Sequence, residues 1–89
     1  MKQLIIDGVA IASMDDIHAL MAKELAFPAW YGNNLDALHD CLTELHEETE
    51  VTVMRSETLL QTLGSAYNRF CRVLEDSAEE NPYLKIHLQ

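Results

Sequence analysis

Acidic side chains at regular spacing are the first candidates for chemistry in this sequence. Asp36 and Asp40 lie four residues apart, and Glu47 follows after a further seven, which would place all three carboxylates on one side of a helix. Like charges at the four-residue spacing repel by roughly a few tenths of a kcal/mol, so Asp40 adds nothing to the stability of such a helix. This face is therefore either a solvated surface or a binding site for a basic partner.

Two aromatic residues, Trp30 and Tyr31, come shortly before these acids and directly before Gly32, Asn33 and Asn34. Glycine and asparagine permit left-handed backbone angles, and asparagine also caps the start of a helix. A loop of this composition can hold large flat side chains at the surface beside the carboxylates, as many protein interfaces do. In the alternative interpretation, both aromatic residues belong to the core and the acids form an ordinary solvated face.

The overall charge favours a basic partner. Six lysines and arginines stand against fifteen aspartates and glutamates among 89 residues, which gives a formal net charge of −9. Repulsion from phosphate groups then argues against nucleic acid and against an anionic membrane as partners. The charge lies slightly beyond the range of about two to eight that serves solubility alone in a small domain.

The N-terminal segment and the cysteines indicate the compartment and the absence of cofactors. The apolar run at residues 4–6 is too short for a secretory core or a membrane span, so we expect a cytoplasmic protein. Cys41 and Cys71 fall on apolar positions of two predicted helices, which indicates core thiols and neither a disulfide nor a metal site. The sequence has no glycine-rich phosphate loop and no serine-centred nucleophile motif, so we expect no cofactor.

Strands and helices alternate along the chain. Short apolar runs predict three strands, at residues 2–6, 51–54 and 83–88. Amphipathic segments predict four helices, at residues 13–27, 34–47, 56–63 and 65–80. Strands separated by helices pair in parallel through right-handed crossovers. The sequence therefore predicts a single α/β domain over residues 1–89, with three parallel strands and about four helices.

Two of these helices have distinctive faces. The second presents an apolar stripe at steps of three and four residues, formed by Leu35, Leu38, Leu42 and Leu45, which is typical of a helix that faces a core. The last helix carries four acids in its C-terminal turns, namely Glu75, Asp76, Glu79 and Glu80. The helix dipole favours cations at that end, so this cluster is either a solvated face or a functional one that costs stability.

Residues 31–43, YGNNLDALHDCLT, closely resemble the signature of the barstar family of intracellular ribonuclease inhibitors, with the spacing YGxNLDALxDCLT. A motif of this length is far more specific than a short glycine pattern. The resemblance extends over the whole chain, through the helix end at Phe27 and Pro28, the acidic last helix and the closing alternating strand. It implies a barstar-like α/β fold, with a three-stranded parallel sheet packed by about four helices, and a protein that is not an enzyme.

The resemblance also implies which residues bind the partner. Asp40 matches the aspartate that occupies the phosphate-binding pocket of the ribonuclease, its carboxylate standing in for the substrate anion. Trp30 stands where the family has an interface tyrosine, and His39 stands where it has a tryptophan. The expected partner-binding set comprises Trp30, Tyr31, Gly32, Asn34, Asp36, His39, Asp40 and Thr43 from the loop and second helix, with Asp76 from the last helix.

From the family we expect an inhibitor that occupies the active site of a basic, extracellular-type, guanyl-specific ribonuclease and is monomeric when free. The main alternative is a binding or immunity module of the same fold that recognises a different basic protein, such as an unrelated toxin nuclease. A metal-dependent enzyme built around His39, Asp40 and His46 is a weaker alternative. Two histidines seven residues apart on one helix face lack an obvious third ligand.

Overall fold

The three predicted strands pair side by side in a parallel sheet, in the order β1, β2, β3. The computed structural model describes all residues from 1 to 89 and places the strands at Lys2–Asp7, Thr49–Met54 and Leu84–Leu88. The parallel α/β fold predicted from the sequence is therefore confirmed. The second strand begins two residues earlier than predicted, because the Thr49 N–H donates to the Tyr83 carbonyl oxygen at 2.8 Å.

Four helices connect these strands, as predicted. Their bounds are Met14–Glu24 for α1, Leu35–Thr43 for α2, Ser56–Leu63 for α3 and Ser65–Glu80 for α4. Between α3 and α4 the chain turns at Gly64, whose φ of 62° lies in the left-handed region that glycine adopts without steric cost. No helix is long and apolar enough to cross a membrane.

Two helices are shorter than the sequence pattern predicted. The first ends at Glu24 rather than near Pro28, because the backbone turns through a left-handed angle at Ala26, with φ 53°. The predicted extension of the second helix to Glu47 is wrong, since α2 ends at Thr43. Beyond that residue the backbone N–H groups bond to carbonyls three residues earlier, which tightens the last turn and ends the helix.

The predicted apolar stripe of α2 lies on the hydrophobic core. Leu38 and Leu42 are fully buried, while Leu35 and Leu45 are partly buried against the same cluster. The other members of that cluster come from one face of the sheet and from the remaining helices; the fully buried ones include Ile6, Val51, Val53, Ile17, Met21, Leu59, Phe70 and Leu74. Each such side chain contributes roughly 1.5–3 kcal/mol on burial. Because α2 has one face in this core, its opposite face must point to solvent.

The two cysteines are free thiols, as predicted. Cys41 is buried and Cys71 is partly buried. Burial raises the pKa of both thiols, and the neighbouring carboxylates of Glu44 and Asp40 add to the shift at Cys41. A thiol with a raised pKa stays neutral at neutral pH and behaves as a small apolar side chain.

Asn81 joins the end of α2 to the end of α4. Its buried side-chain amide donates to the carbonyl oxygens of Leu42 at 2.8 Å and Leu45 at 3.0 Å. Its Oδ1 accepts from the Tyr83 N–H at 3.0 Å. Carbonyls at and beyond a helix C-terminus lack an α-helical N–H partner, and this side chain supplies hydrogen bonds to two of them. One residue therefore sets the position of α2 relative to α4 and β3.

A buried histidine anchors the loop between α1 and α2. His18 is 3% exposed, and its Nδ1 lies 2.5 Å from the hydroxyl oxygen of Tyr31. The Tyr31 ring also packs on Phe27, with ring centroids 4.9 Å apart. Burial lowers the pKa of His18 below its usual value of 6.5, although the nearby Asp15 carboxylate opposes the shift. Burial likewise raises the pKa of Tyr31, so both groups are neutral when they hold this loop.

Replacing Asn81 with alanine should lower the free energy of unfolding by about 2–4 kcal/mol, because the three hydrogen bonds of this buried side chain, to two carbonyl groups and one N–H, are lost. Urea unfolding measures the effect. Asn68→Ala is the control, since Asn68 is exposed on α4 and its side chain makes no hydrogen bond, so the same replacement there breaks no buried contact. Equal stability of the two variants would show that the Asn81 hydrogen bonds contribute nothing.

The lowered pKa of His18 should make stability fall as the solution becomes acidic. Below pH 6.5 the unfolded chain binds a proton at His18 that the folded chain resists, so acid favours unfolding in the window just below that value. Urea unfolding at about pH 7.5 and about pH 5.5 should show a larger loss for the parent than for His18→Gln. His46→Gln, which alters an exposed histidine, should retain the parental loss. The same pH dependence in His18→Gln and the parent would contradict the assignment.

Candidate functional site

The outward face of α2 carries the acids that the sequence singled out. Asp36 and Asp40 are both exposed, and 70% of the Asp40 side chain is accessible to solvent. Asp36 lies in the first turn of the helix, where the dipole favours a negative charge. Asp40 lies near the other end and accepts no hydrogen bond through its carboxylate; the nearest basic side-chain nitrogen is His39 Nδ1, at 4.0 Å. Its carboxylate is therefore free to meet a cationic group from outside.

The loop before α2 begins the helix as predicted. Asn34 is the N-cap, and its Oδ1 accepts from the Ala37 N–H at 2.8 Å. Asn33 adopts a left-handed φ of 53°. A Cβ on Gly32 would lie only 2.9 Å from Asn34 Nδ2, so any larger residue there would displace the capping side chain. Gly32 and Asn34 thus determine how the loop enters α2.

The two aromatic residues of the loop have different environments. Trp30 is 63% exposed, which fits the surface interpretation made from the sequence. Tyr31 is half-buried, and its hydroxyl is occupied by His18, which fits the core interpretation more closely. The loop therefore presents one large flat side chain to solvent and uses the other to hold itself in place.

The acidic end of α4 lies beside the acidic face of α2. Asp76 and Asp36 line the same groove between the two helices. Glu80 Oε2 lies 2.6 Å from His39 Nε2, and His39 Nδ1 lies 4.0 Å from Asp40 Oδ1. His39 therefore stands between acids of both helices. The fold joins the two clusters into one acidic surface, which we call the α2–α4 face: Asp36, His39, Asp40, Asp76 and Glu80.

Glu80 was absent from the set of partner-binding residues expected from the sequence. The only indication of Glu80 in the sequence was that it belongs to the acidic cluster at the C-terminal end of the last helix. Its contact with His39 spans 41 residues of sequence, which no local pattern reveals.

Thr43 faces the helix rather than the solvent. Its hydroxyl donates to the carbonyl oxygen of His39, at 2.9 Å, or of Asp40, at 3.1 Å. These bonds satisfy carbonyl groups in the last turn of α2. Thr43 thus supports the turn that carries Asp40 and is itself half-buried.

The arrangement of histidines proposed for a metal site is wrong. His46 lies three residues beyond the end of α2, so it does not share a helix face with His39. The nearest acid to His39 is Glu80, on another helix. No three histidine, cysteine, aspartate or glutamate side chains are grouped so that they could hold a metal ion.

The chain is similar to known proteins over nearly its whole length. The family model described as "Barstar (barnase inhibitor)" matches residues 1–88. The chain is also 35% identical over 81 residues to a Bacillus subtilis (strain 168) protein named "Putative ribonuclease inhibitor YrdF", and the aligned region covers 90% of this chain and 89% of that protein. The match to the family model over nearly the whole chain, together with the three-stranded parallel sheet and its four helices, shows that this protein belongs to the barstar family.

Proposed function

We propose that this protein inhibits a barnase-type, guanyl-specific ribonuclease by inserting α2 and the preceding loop into the active site of the enzyme. Family membership and the inhibitor name of the Bacillus subtilis relative support a role as an inhibitor rather than an enzyme. The proposed partner is a secreted basic enzyme, and the inhibitor protects the cytosol of the producing cell against it. The inhibitor is monomeric when free and binds one enzyme molecule.

The observation that carries the proposal is the exposed Asp40 carboxylate on a helix whose other face is fixed in the core. A ribonuclease binds the phosphate of its substrate with cationic side chains, and a carboxylate in the same position offers them comparable charge-assisted hydrogen bonds. Because Leu38 and Leu42 are fully buried, α2 does not need to become ordered on binding. Less conformational entropy is then lost when the complex forms.

The surroundings of Asp40 suit a basic active-site cleft. Asp36, Asp76 and Glu80 extend the negative surface over both helices, while Trp30 offers an exposed ring in the loop that precedes α2. Trp and Tyr side chains are frequent binding anchors because they bury a large area at little entropic cost. The −9 net charge of the chain attracts a basic enzyme over longer distances.

Replacing Asp40 with alanine should weaken inhibition about 30-fold or more, because cationic side chains of the enzyme would then be buried without their partner. The test is titration of a secreted guanyl-specific ribonuclease with the parent and with the variant at moderate salt. Glu57→Ala is the matched control, since it removes one exposed carboxylate from α3, away from the α2–α4 face, and should leave inhibition nearly unchanged.

The same titration also separates the two proposed modes of binding. Equal inhibition by the parent and Asp40→Ala would contradict the proposed role of the carboxylate. Binding of the enzyme by the parent without loss of its activity would indicate instead a barstar-fold module that attaches away from the active site.

Association with the enzyme should slow as salt concentration rises. Long-range attraction between an acidic inhibitor and a basic enzyme is screened by ions, so the association rate constant should fall about tenfold between roughly 50 mM and 500 mM salt. Stopped-flow fluorescence can follow the reaction through the exposed Trp30. The dissociation rate constant should change much less. An association rate constant that does not depend on salt concentration would contradict electrostatic attraction.

A further inference from the structure

A groove between α2 and α4 contains two arginines whose presence the acidic surface does not explain. Its volume is about 580 Å³. It is lined by apolar, acidic, basic and neutral polar side chains, namely Leu35, Val73, Asp36, Asp76, Arg69, Arg72, Ser65 and Asn68. Since Asp36 and Asp76 also belong to the α2–α4 face, the groove is continuous with the surface proposed to bind the ribonuclease.

Neither arginine of the groove is paired with a carboxylate of this chain. Arg55 forms the one ion pair made by an arginine, with Asp7 at 2.5 Å. Arg69 Nη1 donates only to Ser65 Oγ, at a long 3.3 Å, and Arg72 makes no side-chain hydrogen bond. Although the chain has fifteen aspartates and glutamates, these two guanidinium groups form no ion pair with any of them. They are therefore available to pair with a carboxylate of another molecule.

The positions of the two arginines allow them to act on the same ligand. Arg69 and Arg72 are three residues apart on α4, both exposed, and residues at this spacing lie on the same side of a helix. Guanidinium groups bind carboxylates through two parallel hydrogen bonds. The partly buried side chains of Leu35 and Val73 offer apolar contact to the methylene groups of an aspartate or glutamate.

We propose that this groove receives an acidic side chain of the ribonuclease partner, from the rim of its active site, and that Arg69 and Arg72 select enzymes with an acid at that place. The proposal rests on the proposed function. A nucleic acid is disfavoured as the occupant, because a polyanion with many phosphates is repelled by the −9 net charge of the whole chain, whereas a single carboxylate on a basic enzyme is not.

The partner recognised by this surface has an alternating charge pattern. Cationic groups of the enzyme face Asp40, while an acidic group faces the N-terminal half of α4. An enzyme with a basic residue opposite the groove would meet two unpaired arginines, which costs affinity. The pair therefore distinguishes between ribonucleases that are equally basic overall.

The test uses the direction of an affinity change. Changing both Arg69→Gln and Arg72→Gln lowers the net charge from −9 to −11, so general attraction to a basic enzyme would strengthen binding or leave it unchanged. The proposal predicts the opposite, a loss of about tenfold or more that lies mainly in faster dissociation. The matched control changes Lys23→Gln and Lys85→Gln, two exposed lysines on α1 and β3, and produces the same net charge.

The enzyme is chosen from a panel of secreted guanyl-specific ribonucleases as the one that the parent inhibits most tightly. Weaker binding by the arginine double variant but not by the lysine double variant supports the proposal. Neutralising acidic residues around the active site of that enzyme one at a time should then reveal one change that weakens binding to the parent and not to the arginine variant.

Two other outcomes overturn the proposal in distinguishable ways. Equal or tighter binding by the arginine double variant, with inhibition still lost in Asp40→Ala, removes the groove and leaves the proposed function intact. Failure of the parent to inhibit any enzyme of the panel removes the proposed function and the groove proposal with it.

Discussion

The rest of the structure depends on the burial of one face of α2 against the sheet and α4. Leu38 and Leu42 have no exposed surface, and the helical repeat then turns Asp36 and Asp40 toward solvent. Asn81 fixes the same packing from the C-terminal end by capping α2 with a side chain that follows α4. The acids are thus held by a rigid core, so they need not become ordered when the proposed complex forms.

The charges on this surface work against local stability. Acids at the C-terminal end of α4 oppose the helix dipole, and the fold brings them beside the acids of α2. His39 stands between Glu80 and Asp40, and its Nε2 lies within hydrogen-bond distance of the Glu80 carboxylate. Arg69 and Arg72 share a groove with Asp36 and Asp76 but form no ion pair with them. A surface selected for stability alone would have paired them, and their separation suits recognition of a partner with an alternating charge pattern.

Local sequence was sufficient for the fold class and for the local structure at the start of α2. Hydrophobic periodicity placed four helices and three strands because a helix or strand that packs on a core must repeat its apolar residues with its own geometry. The same reasoning identified the core face of α2, and the chemistry of asparagine identified Asn34 as its N-cap. The length of the motif at residues 31–43 was enough to indicate the family.

Contacts between distant residues were decided only by the tertiary structure. His18 anchors Tyr31 across 13 residues of sequence, and His39 contacts Glu80 across 41. The end of α2 at Thr43 was likewise not visible in the local pattern. Periodicity states which face of an element is buried, but it does not state which element lies opposite. By itself the sequence determined an acidic helix with a buried apolar side. Packing, through side chains such as Asn81, decided that the acids of two helices form one surface.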